Sequence, residues 1–402
     1  MGKKTTAPNR ITVHTGDQAP LQSYQRQQKA RRKFRRSNRP LVVLGVVLAL
    51  VFFCSAALYA PASYEHWNVA YLRELSGQKF THFVDFILGR GAEGGIQFTT
   101  WRYLMMTLCG AALAAAGAVY QGVFRNLLAS PTTLGVQAGG SLGNLIYVLC
   151  FLNTAPSVIR YSAAADVAES ATLWDRNLQQ LLVLLGCLGA VALVAGVTNA
   201  AGRGRIQSSH LILAGVLFSS VISSFTMMVQ YYLLLANPYD TRITVIRSLT
   251  MGSFDRAYTL EHLGLMAVFL VPCLAVLLLL SRRMDLMALG EEQAASMGVN
   301  SRLVRNVVIF INTLMCAVVI AFCGQIGFVG FIVPLAARRL VGHSFPRVLT
   351  ASLLLGGTLM ILVYDVALAT GMTNYIGLFT GVLGSAVMIF AFVRERGMAY
   401  ER

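Results

Sequence analysis

The chain has 402 residues, of which 56% are hydrophobic and 12% charged, and its formal net charge is +16. The charged residues cluster between long apolar runs, which excludes an ordinary soluble domain and indicates a membrane protein. A transmembrane helix needs roughly 20 apolar residues to cross a bilayer core about 30 Å thick. The composition therefore predicts an all-α integral membrane fold.

The first 40 residues are polar and end in the basic run Arg31–Arg36. A segment without apolar periodicity cannot build a core, so residues 1–40 are predicted to form a disordered cytoplasmic tail. Its basic residues are expected to contact anionic membrane lipid and not nucleic acid. The following run, 41–60, could be a signal peptide, but it is long for one, and we predict a retained first helix.

Ten apolar runs predict ten transmembrane helices in one membrane domain, 41–395, followed by a short cytoplasmic tail, 396–402. The runs cover residues 41–60, 101–123, 134–153, 177–198, 208–235, 262–281, 303–323, 326–342, 349–370 and 374–394. Small residues at four-residue spacing, Gly110 with Ala114 and Gly377 with Gly381, predict close helix contacts. Glycines and Pro334 crowd the seventh and eighth runs, so we expect a break there, with freed backbone groups facing protein or water.

Basic residues are distributed unequally across the membrane. With the N-terminus inside, 24 of the 33 Lys and Arg residues fall in cytoplasmic stretches, whereas external stretches hold 8 against 10 acids. This positive-inside bias predicts that both termini are cytoplasmic. The external stretches, including 61–100 and 240–261, are interpreted as loops too short for a folded domain.

Motifs for covalent or metal chemistry are weak in this sequence. The seven cysteines stand singly in apolar runs and are interpreted as packing residues, so no metal site is predicted. Gly139–Gly143 matches the nucleophile pattern GxSxG, which raises a hydrolase hypothesis centred on Ser141. None of the six histidines lies mid-helix to activate that serine. Close helix packing by small residues is the favoured interpretation, and no catalytic residue is predicted.

Nucleotide hydrolysis by this chain alone is also excluded. Leu75–Gln78 reads LSGQ, similar to the signature of ABC ATPases, but it lies in a predicted external loop. The chain has no GxxxxGK[ST] loop to hold nucleotide phosphates. We therefore expect a transport role and no enzymatic activity.

The loop 286–300, LMALGEEQAASMGVN, is neither simply polar nor basic. Gly290 can begin a short helix with Glu291 and Glu292 in its first turn, where the helix dipole favours acids, and Gly298 can end it. Ala294, Ala295 and Met297 then supply apolar contacts. This helix either fits a groove on a partner protein or is an ordinary loop helix stabilised by its own caps.

Five motifs occur in order along residues 40–395. They are GAALAAAGAVYQGVFRNLLASPTTLGVQAGGSLG from Gly110, LILAGV from Leu211, MGSF from Met251, LGEEQAASMGVN from Leu289 and GQIGFVGFIVP from Gly324. With these five motifs in this order, the chain resembles the FecCD-type permeases. These are the membrane subunits of type II ABC importers for iron-siderophores, haem and cobalamin. The resemblance implies import of an iron-siderophore or haem chelate, with cobalamin as the alternative.

The resemblance also implies the assembly. A homodimer would enclose a central pathway in a bacterial or archaeal cytoplasmic membrane, receive substrate from an external binding protein, and be driven by two cytoplasmic ATPase subunits. Those ATPases, and not this chain, would hold ATP and Mg, and no cofactor is expected on the permease.

Functional positions follow from the same resemblance. The ATPase-coupling residues would be Leu289, Gly290, Glu291, Glu292, Ala294, Ala295, Gly298 and Val299. The cytoplasmic gate would comprise Asn126, Leu128, Ser208 and Ser209, although the two serines are equally suited to cap the fifth helix. Arg102 matches an arginine that docks the binding protein.

Two features depart from the family pattern. The gate loop reads Asn126-Leu127-Leu128-Ala129 and lacks the usual proline, which puts its closed shape in doubt. Thr99 and Ala369 stand where two further docking arginines are expected. Charged rims steer encounter, so another external arginine could substitute, or each could simply be solvated. The candidates are Arg73, Arg90, Arg242, Arg247 and Arg256.

Asp365 is an acid inside a predicted helix. Insertion of a charge at mid-membrane costs about 2.5–3.5 kcal/mol, so Asp365 must face protein or water. It could be the proton relay of an autonomous ion-coupled transporter. The family pattern carries an acid here too, so a structural role is preferred.

Overall fold

The computed structural model describes residues 39–59, 95–127, 129–151, 173–201, 208–238, 240–253, 260–370 and 372–387, and the regular structure over them is helical. The predicted tail up to residue 38, the loop 61–94 and the C-terminal tail lie outside these ranges. The helices are α1 (Arg39–Tyr59), α2 (Gly95–Val123), α3 (Val136–Cys150), α4 (Leu173–Ala201), α5 (Ser208–Ala236), α6 (Thr241–Met251), α7 (Leu260–Met287), α8 (Glu291–Ser296), α9 (Ser301–Cys323), α10 (Val329–Val341), α11 (Phe345–Ala369) and α12 (Ile376–Val387).

Each of the ten predicted runs contains one helix. Within the described ranges, six helices, α2, α4, α5, α7, α9 and α11, are long and apolar enough to cross a membrane. Helices α1, α3 and α12 are apolar over shorter described stretches, and α10 has 13 residues. The all-helical membrane class is thus confirmed, while the count of ten crossings stays a prediction.

Helix α2 lies at the centre of the bundle, against α7, α9, α10 and α11. Small residues allow this: a Cβ at Gly110 would overlap the carbonyl oxygen of Gly356 on α11. The contact predicted for Gly377 is also present, beside the Met251 carbonyl. A Cβ at Gly381 would meet nothing within 4 Å in the described part of this single chain, so the contact predicted there is not found within it. Helix α1 packs on the same core, and its retention in the mature protein stays a prediction.

The predicted break between α9 and α10 is confirmed at residues 324–328. Gly324 has φ 74°, and Phe328 takes the left-handed conformation with φ 63°. The freed backbone groups bond to protein: the Gln325 N–H donates to the Leu249 carbonyl at 2.7 Å, and the Ile326 carbonyl accepts from the Gln137 amide at 2.9 Å. Unpaired backbone groups are costly in lipid, and these bonds remove that cost.

Helix α6 was missed, because residues 240–261 were interpreted as an external loop. Its segment, TRITVIRSLTM, is too polar and β-branched to read as a span. Asp240 caps the helix by accepting from the Arg242 backbone N–H at 2.9 Å. Ile243, Ile246 and Leu249 are buried, and their spacing of three residues was the helical signal that could have been recognised.

Candidate coupling and gating site

The loop between α7 and α9 folds into the short helix α8 with a glycine at each end. Gly290 precedes it with φ 132°, and Gly298 follows in the left-handed conformation with φ 77°. The Val299 N–H donates to the Ala294 carbonyl, and the Gly298 N–H to the Ala295 carbonyl, both at 2.9 Å. This is the Schellman arrangement, which requires a residue tolerant of positive φ at Gly298. The predicted helix and both of its ends are confirmed.

Helix α8 has a buried side and an exposed side. Ala294 is fully buried and Val299 is 8% exposed, so these two residues hold the loop against the bundle. Leu289 and Met297 are 57% and 49% exposed, and Glu292 and Ala295 are exposed as well. The side chain of Glu291 lies outside the described part of the chain. The exposed side offers apolar atoms to water, as expected of a surface that a partner covers.

The predicted gate loop is bonded to the base of this coupling loop. Arg125, directly after α2, donates from Nη2 to the carbonyl of Met287 at 2.7 Å. The Asn126 carbonyl accepts from the Ala129 N–H at 3.2 Å, which closes a turn around the position of the missing proline. Leu128, another predicted gate residue, lies outside the described residues. Asn126 thus stands one residue from a direct link to the coupling loop.

Hydroxyl groups order the chain after the gate loop. The Ser130 N–H donates to Thr133 Oγ1 at 2.9 Å, and Thr133 Oγ1 donates to the Ser130 carbonyl at 2.9 Å. This turn leads to Gly135, with φ 79°. Helix α5 packs closely on the turn, because a Cβ at Gly215 would lie 2.3 Å from the Thr133 carbonyl oxygen. Ser208 and Ser209 begin α5 about two turns before Gly215. Their side chains lie outside the described part, so both the gating and the capping role stay predictions.

Two further hydrogen bonds join the end of α7 to the start of α11. Asp285, near the end of α7, accepts from the Phe345 N–H at 2.7 Å and from the Ser344 hydroxyl at 3.1 Å. A carboxylate at a helix N-terminus is favoured by the dipole and satisfies an otherwise unpaired N–H. Sequence reasoning missed this role, because Asp285 and Phe345 are 60 residues apart.

The opposite end of the bundle carries the predicted docking arginine. Arg102 is half-buried on α2, Ala369 is exposed at the end of α11, and the side chain of Thr99 is not described.

Among the proposed substitutes, Arg242 is bound to Asp240, with Nη2 and Oδ2 2.6 Å apart, and that hydrogen bond lowers the pKa of Asp240. Arg247 is exposed on α6. Arg73, Arg90 and Arg256 lie outside the described residues.

Asp365 joins three helices through two hydrogen bonds. The Ser55 hydroxyl of α1 donates to Oδ2 at 2.5 Å, and the Tyr103 hydroxyl of α2 donates to Oδ1 at 2.7 Å. Each carboxylate oxygen therefore has a donor from a different helix. This geometry favours the structural role that was preferred from the sequence, in which Asp365 links three helices by hydrogen bonds.

Ser141 lies against the break between α9 and α10 instead of a catalytic base. Its oxygen is hydrogen-bonded to the Gln325 amide, which also donates to the Gln137 carbonyl at 2.7 Å. No histidine in the described part of the chain hydrogen-bonds to it. The serine connects α3 to the break, and the hydrolase hypothesis gains no support.

Comparison with known proteins now adds to this geometry. The family model of the FecCD transport family matches residues 76–394. The chain belongs to the FecCD transport family.

Several relatives cover most of their own length. The Fe(3+)-citrate import system permease of Bacillus subtilis is 29% identical over 89% of this chain and 96% of its own. The vitamin B12 import system permease of Klebsiella pneumoniae is 30% identical over 74% and 81% of the two chains, and the molybdate import system permease of Haemophilus influenzae is 29% identical over 73% and 80%.

A solved structure shares the fold. It is a chain of an ABC transporter assigned to the metal-chelate type, in an inward-facing conformation, with a TM-score of 0.65 and 26% identity over 88% of this chain and 98% of its own. This FecCD protein is a multi-pass permease subunit of an ABC importer in the cytoplasmic membrane.

Replacing Asp365 with asparagine is expected to leave uptake by the complete FecCD importer within about twofold of wild type from pH 6 to pH 8. The amide still accepts a hydrogen bond but cannot carry a proton. Transport would therefore fail if Asp365 were a proton relay and would continue if it only linked the helices. Uptake into proteoliposomes is the measurement. As a control, Asp365→Leu removes the carboxylate that accepts from Ser55 and Tyr103 and should lower stability by about 1 kcal/mol. A folded Asp365→Asn protein without uptake would contradict the structural role.

Proposed function

We propose that this FecCD permease imports a ferric chelate of the siderophore or haem type, driven by ATP hydrolysis on two partner ATPase subunits. The iron-citrate permease of Bacillus subtilis, aligned over 96% of its length, supports an iron chelate. Vitamin B12 permeases among the relatives keep a cobalamin importer as the alternative. ATP and Mg belong to the ATPases in this proposal, and the permease itself binds no cofactor.

The observation that carries the proposal is the coupling loop. Its helix is locked in place by Ala294, Val299 and Gly298, yet it exposes Leu289 and Met297. A loop helix stabilised only by its own caps has no need of two large exposed apolar side chains. Because each side chain is already about half buried, an ATPase groove that covers the rest would gain roughly 1 kcal/mol for each.

Movement of this loop has two routes into the bundle. The Arg125 bond to the Met287 carbonyl reaches the gate loop, and the Asp285 bonds reach the start of α11. ATP binding would favour one position of the two coupling loops, and the pathway would follow because the two states bind nucleotide unequally. No step requires covalent chemistry from this chain.

The pathway is assigned to a homodimer with α5 at its wall. Ser220, Ser223 and Ser224 are exposed on this helix although it is long and apolar enough to cross the membrane. The Ser220 hydroxyl donates to the Val216 carbonyl of its own helix at 3.0 Å, and three small hydroxyl side chains on one exposed stretch of α5 suit a wall of the proposed pathway. Ten crossings with both termini in the cytoplasm complete the arrangement. An external binding protein would dock near Arg102, and among the described candidates Arg247 is the one that is exposed and could substitute for a missing arginine.

The test is reconstitution in proteoliposomes with and without the ATPase subunits and the binding protein. Uptake of a labelled ferric siderophore is expected only when all components and internal ATP are present. Competition by haem, cobalamin and molybdate ranks the substrates. Uptake by the permease alone, driven by an ion gradient, would overturn the proposal, and exclusive uptake of cobalamin would replace the iron assignment.

A further inference from the structure

The second residue after helix α2 has a strained backbone. The last helical bond of α2 runs from the Phe124 N–H to the Tyr120 carbonyl at 3.0 Å, and Arg125 then takes the left-handed conformation with φ 49°. Glycine is the usual residue at such a position after a helix, because a side chain is strained there. Arg125 and Phe328 are the non-glycine residues with positive φ in the described part of the chain. An arginine kept in this conformation needs a compensating interaction.

The guanidinium group of Arg125 supplies that interaction. Its Nη2 donates to the Met287 carbonyl at 2.7 Å. The bond is charge-assisted, but it is exposed to solvent, which weakens it. The strain of one left-handed residue and the strength of one such bond are similar in size. Because the two nearly offset each other, a small displacement of the Met287 carbonyl is enough to change which backbone conformation of Arg125 is favoured.

The elements on either side of Arg125 are fixed, which confines any change to a short segment. Helix α2 lies at the centre of the bundle before it, and Ala129 and Ser130 are buried after it. Between these elements, Arg125 and Leu127 are exposed, Leu127 by 50%. Proline would fix φ at position 127 and restrict the residue before it, whereas leucine allows more backbone conformations. The gate loop can therefore change conformation while both flanking elements stay in place.

We propose that Arg125 is a positioning residue for transport, and that its bond to the Met287 carbonyl is made in one nucleotide state of the importer and broken in the other. Met287 ends α7 and belongs to the coupling loop, so movement of that loop displaces the carbonyl that Arg125 binds. Once the bond is broken, the strain favours a right-handed backbone at Arg125, and the gate loop follows. The inference rests on the proposed function in one respect, namely that an ATPase moves the coupling loop, and it holds for any chelate.

Hydrogen–deuterium exchange of the reconstituted importer tests this inference. The complex of the permease with its ATPase subunits is held in lipid nanodiscs, either without nucleotide or with a non-hydrolysable ATP analogue. Mass spectrometry then follows exchange in the peptide that contains the gate loop. In wild type, the exchange rate of this peptide is expected to differ by at least about fivefold between the two conditions, the effect of losing one exposed charge-assisted bond. Arg125→Met lacks the donor, so its gate loop should exchange at the faster rate in both.

Two further variants separate the bond from a general loss of stability. Arg282→Met is the matched control, because Arg282 is also exposed at the cytoplasmic end of its helix and undergoes the same change. It should keep the full nucleotide-dependent difference. Arg125→Lys replaces the guanidinium with an ammonium donor on a long side chain and should restore at least about half of the difference that Arg125→Met loses.

Three outcomes would overturn the role of Arg125. The first is a nucleotide-dependent difference that persists in Arg125→Met, and the second is an equal loss of that difference in Arg282→Met. The third needs no variant to fold: a wild-type complex that hydrolyses ATP while its gate loop exchanges at one rate in both conditions. A wild-type permease that binds no ATPase would instead overturn the proposed function and this inference together.

Discussion

Leu289→Arg is expected to abolish association with the ATPase and to reduce ATP-driven uptake at least about tenfold. The leucine is 57% exposed in the single chain, so its loss costs the fold of the permease little. In the proposed complex the same side chain enters a partner groove, where an arginine would lose its hydration without a pairing group. Co-purification of the ATPase and uptake into proteoliposomes measure the two effects.

Leu340→Arg is the matched control for this change. Leu340 is 44% exposed in the last turn of α10, away from the coupling helix in the chain, and receives the same added charge. We expect it to keep the ATPase and to transport within about twofold of wild type. Equal loss in both variants, or normal coupling in Leu289→Arg, would contradict the assigned docking surface.

The coupling helix could be predicted because its determinants are local. Gly290 and Gly298 stand within two residues of its ends, and both take positive φ angles that glycine adopts easily. The break between α9 and α10 was predictable for the same reason, since Gly324 and Gly327 interrupt the apolar run itself. In each case the backbone conformation depends on residues inside the segment.

The links between elements could not be predicted in this way. Arg125 bonds to Met287 and Asp285 to Phe345, across 162 and 60 residues of sequence. Each acid or base looked like an ordinary cytoplasmic charge, and its partner is a backbone group that the sequence does not distinguish. Helix α6 is a different case, because the three-residue spacing of Ile243, Ile246 and Leu249 was visible in the sequence, and only their burial in the bundle was not.

Gly117→Ala is expected to destabilise the permease by about 1–3 kcal/mol or more and to lower uptake with it. A Cβ at Gly117 on α2 would overlap the carbonyl oxygen of Gly330, which lies on α10 just after the break. Two backbones in contact cannot yield as a flexible side chain does, so α10 must move away. That movement would pull the break from Gln137 and Ser141, which hold it to α3.

Gly189→Ala is the same chemical change, but it is expected to have the opposite effect on stability. Gly189 lies within α4, where a Cβ would meet none of the described residues within 4 Å. Alanine favours a helix over glycine by about 1 kcal/mol, so this variant should be as stable as wild type or more so. Heating each detergent-solubilised protein and measuring the monodisperse fraction by size exclusion separates the two. If both variants lost stability equally, or Gly117→Ala lost none, the close packing of α2 on α10 would be refuted.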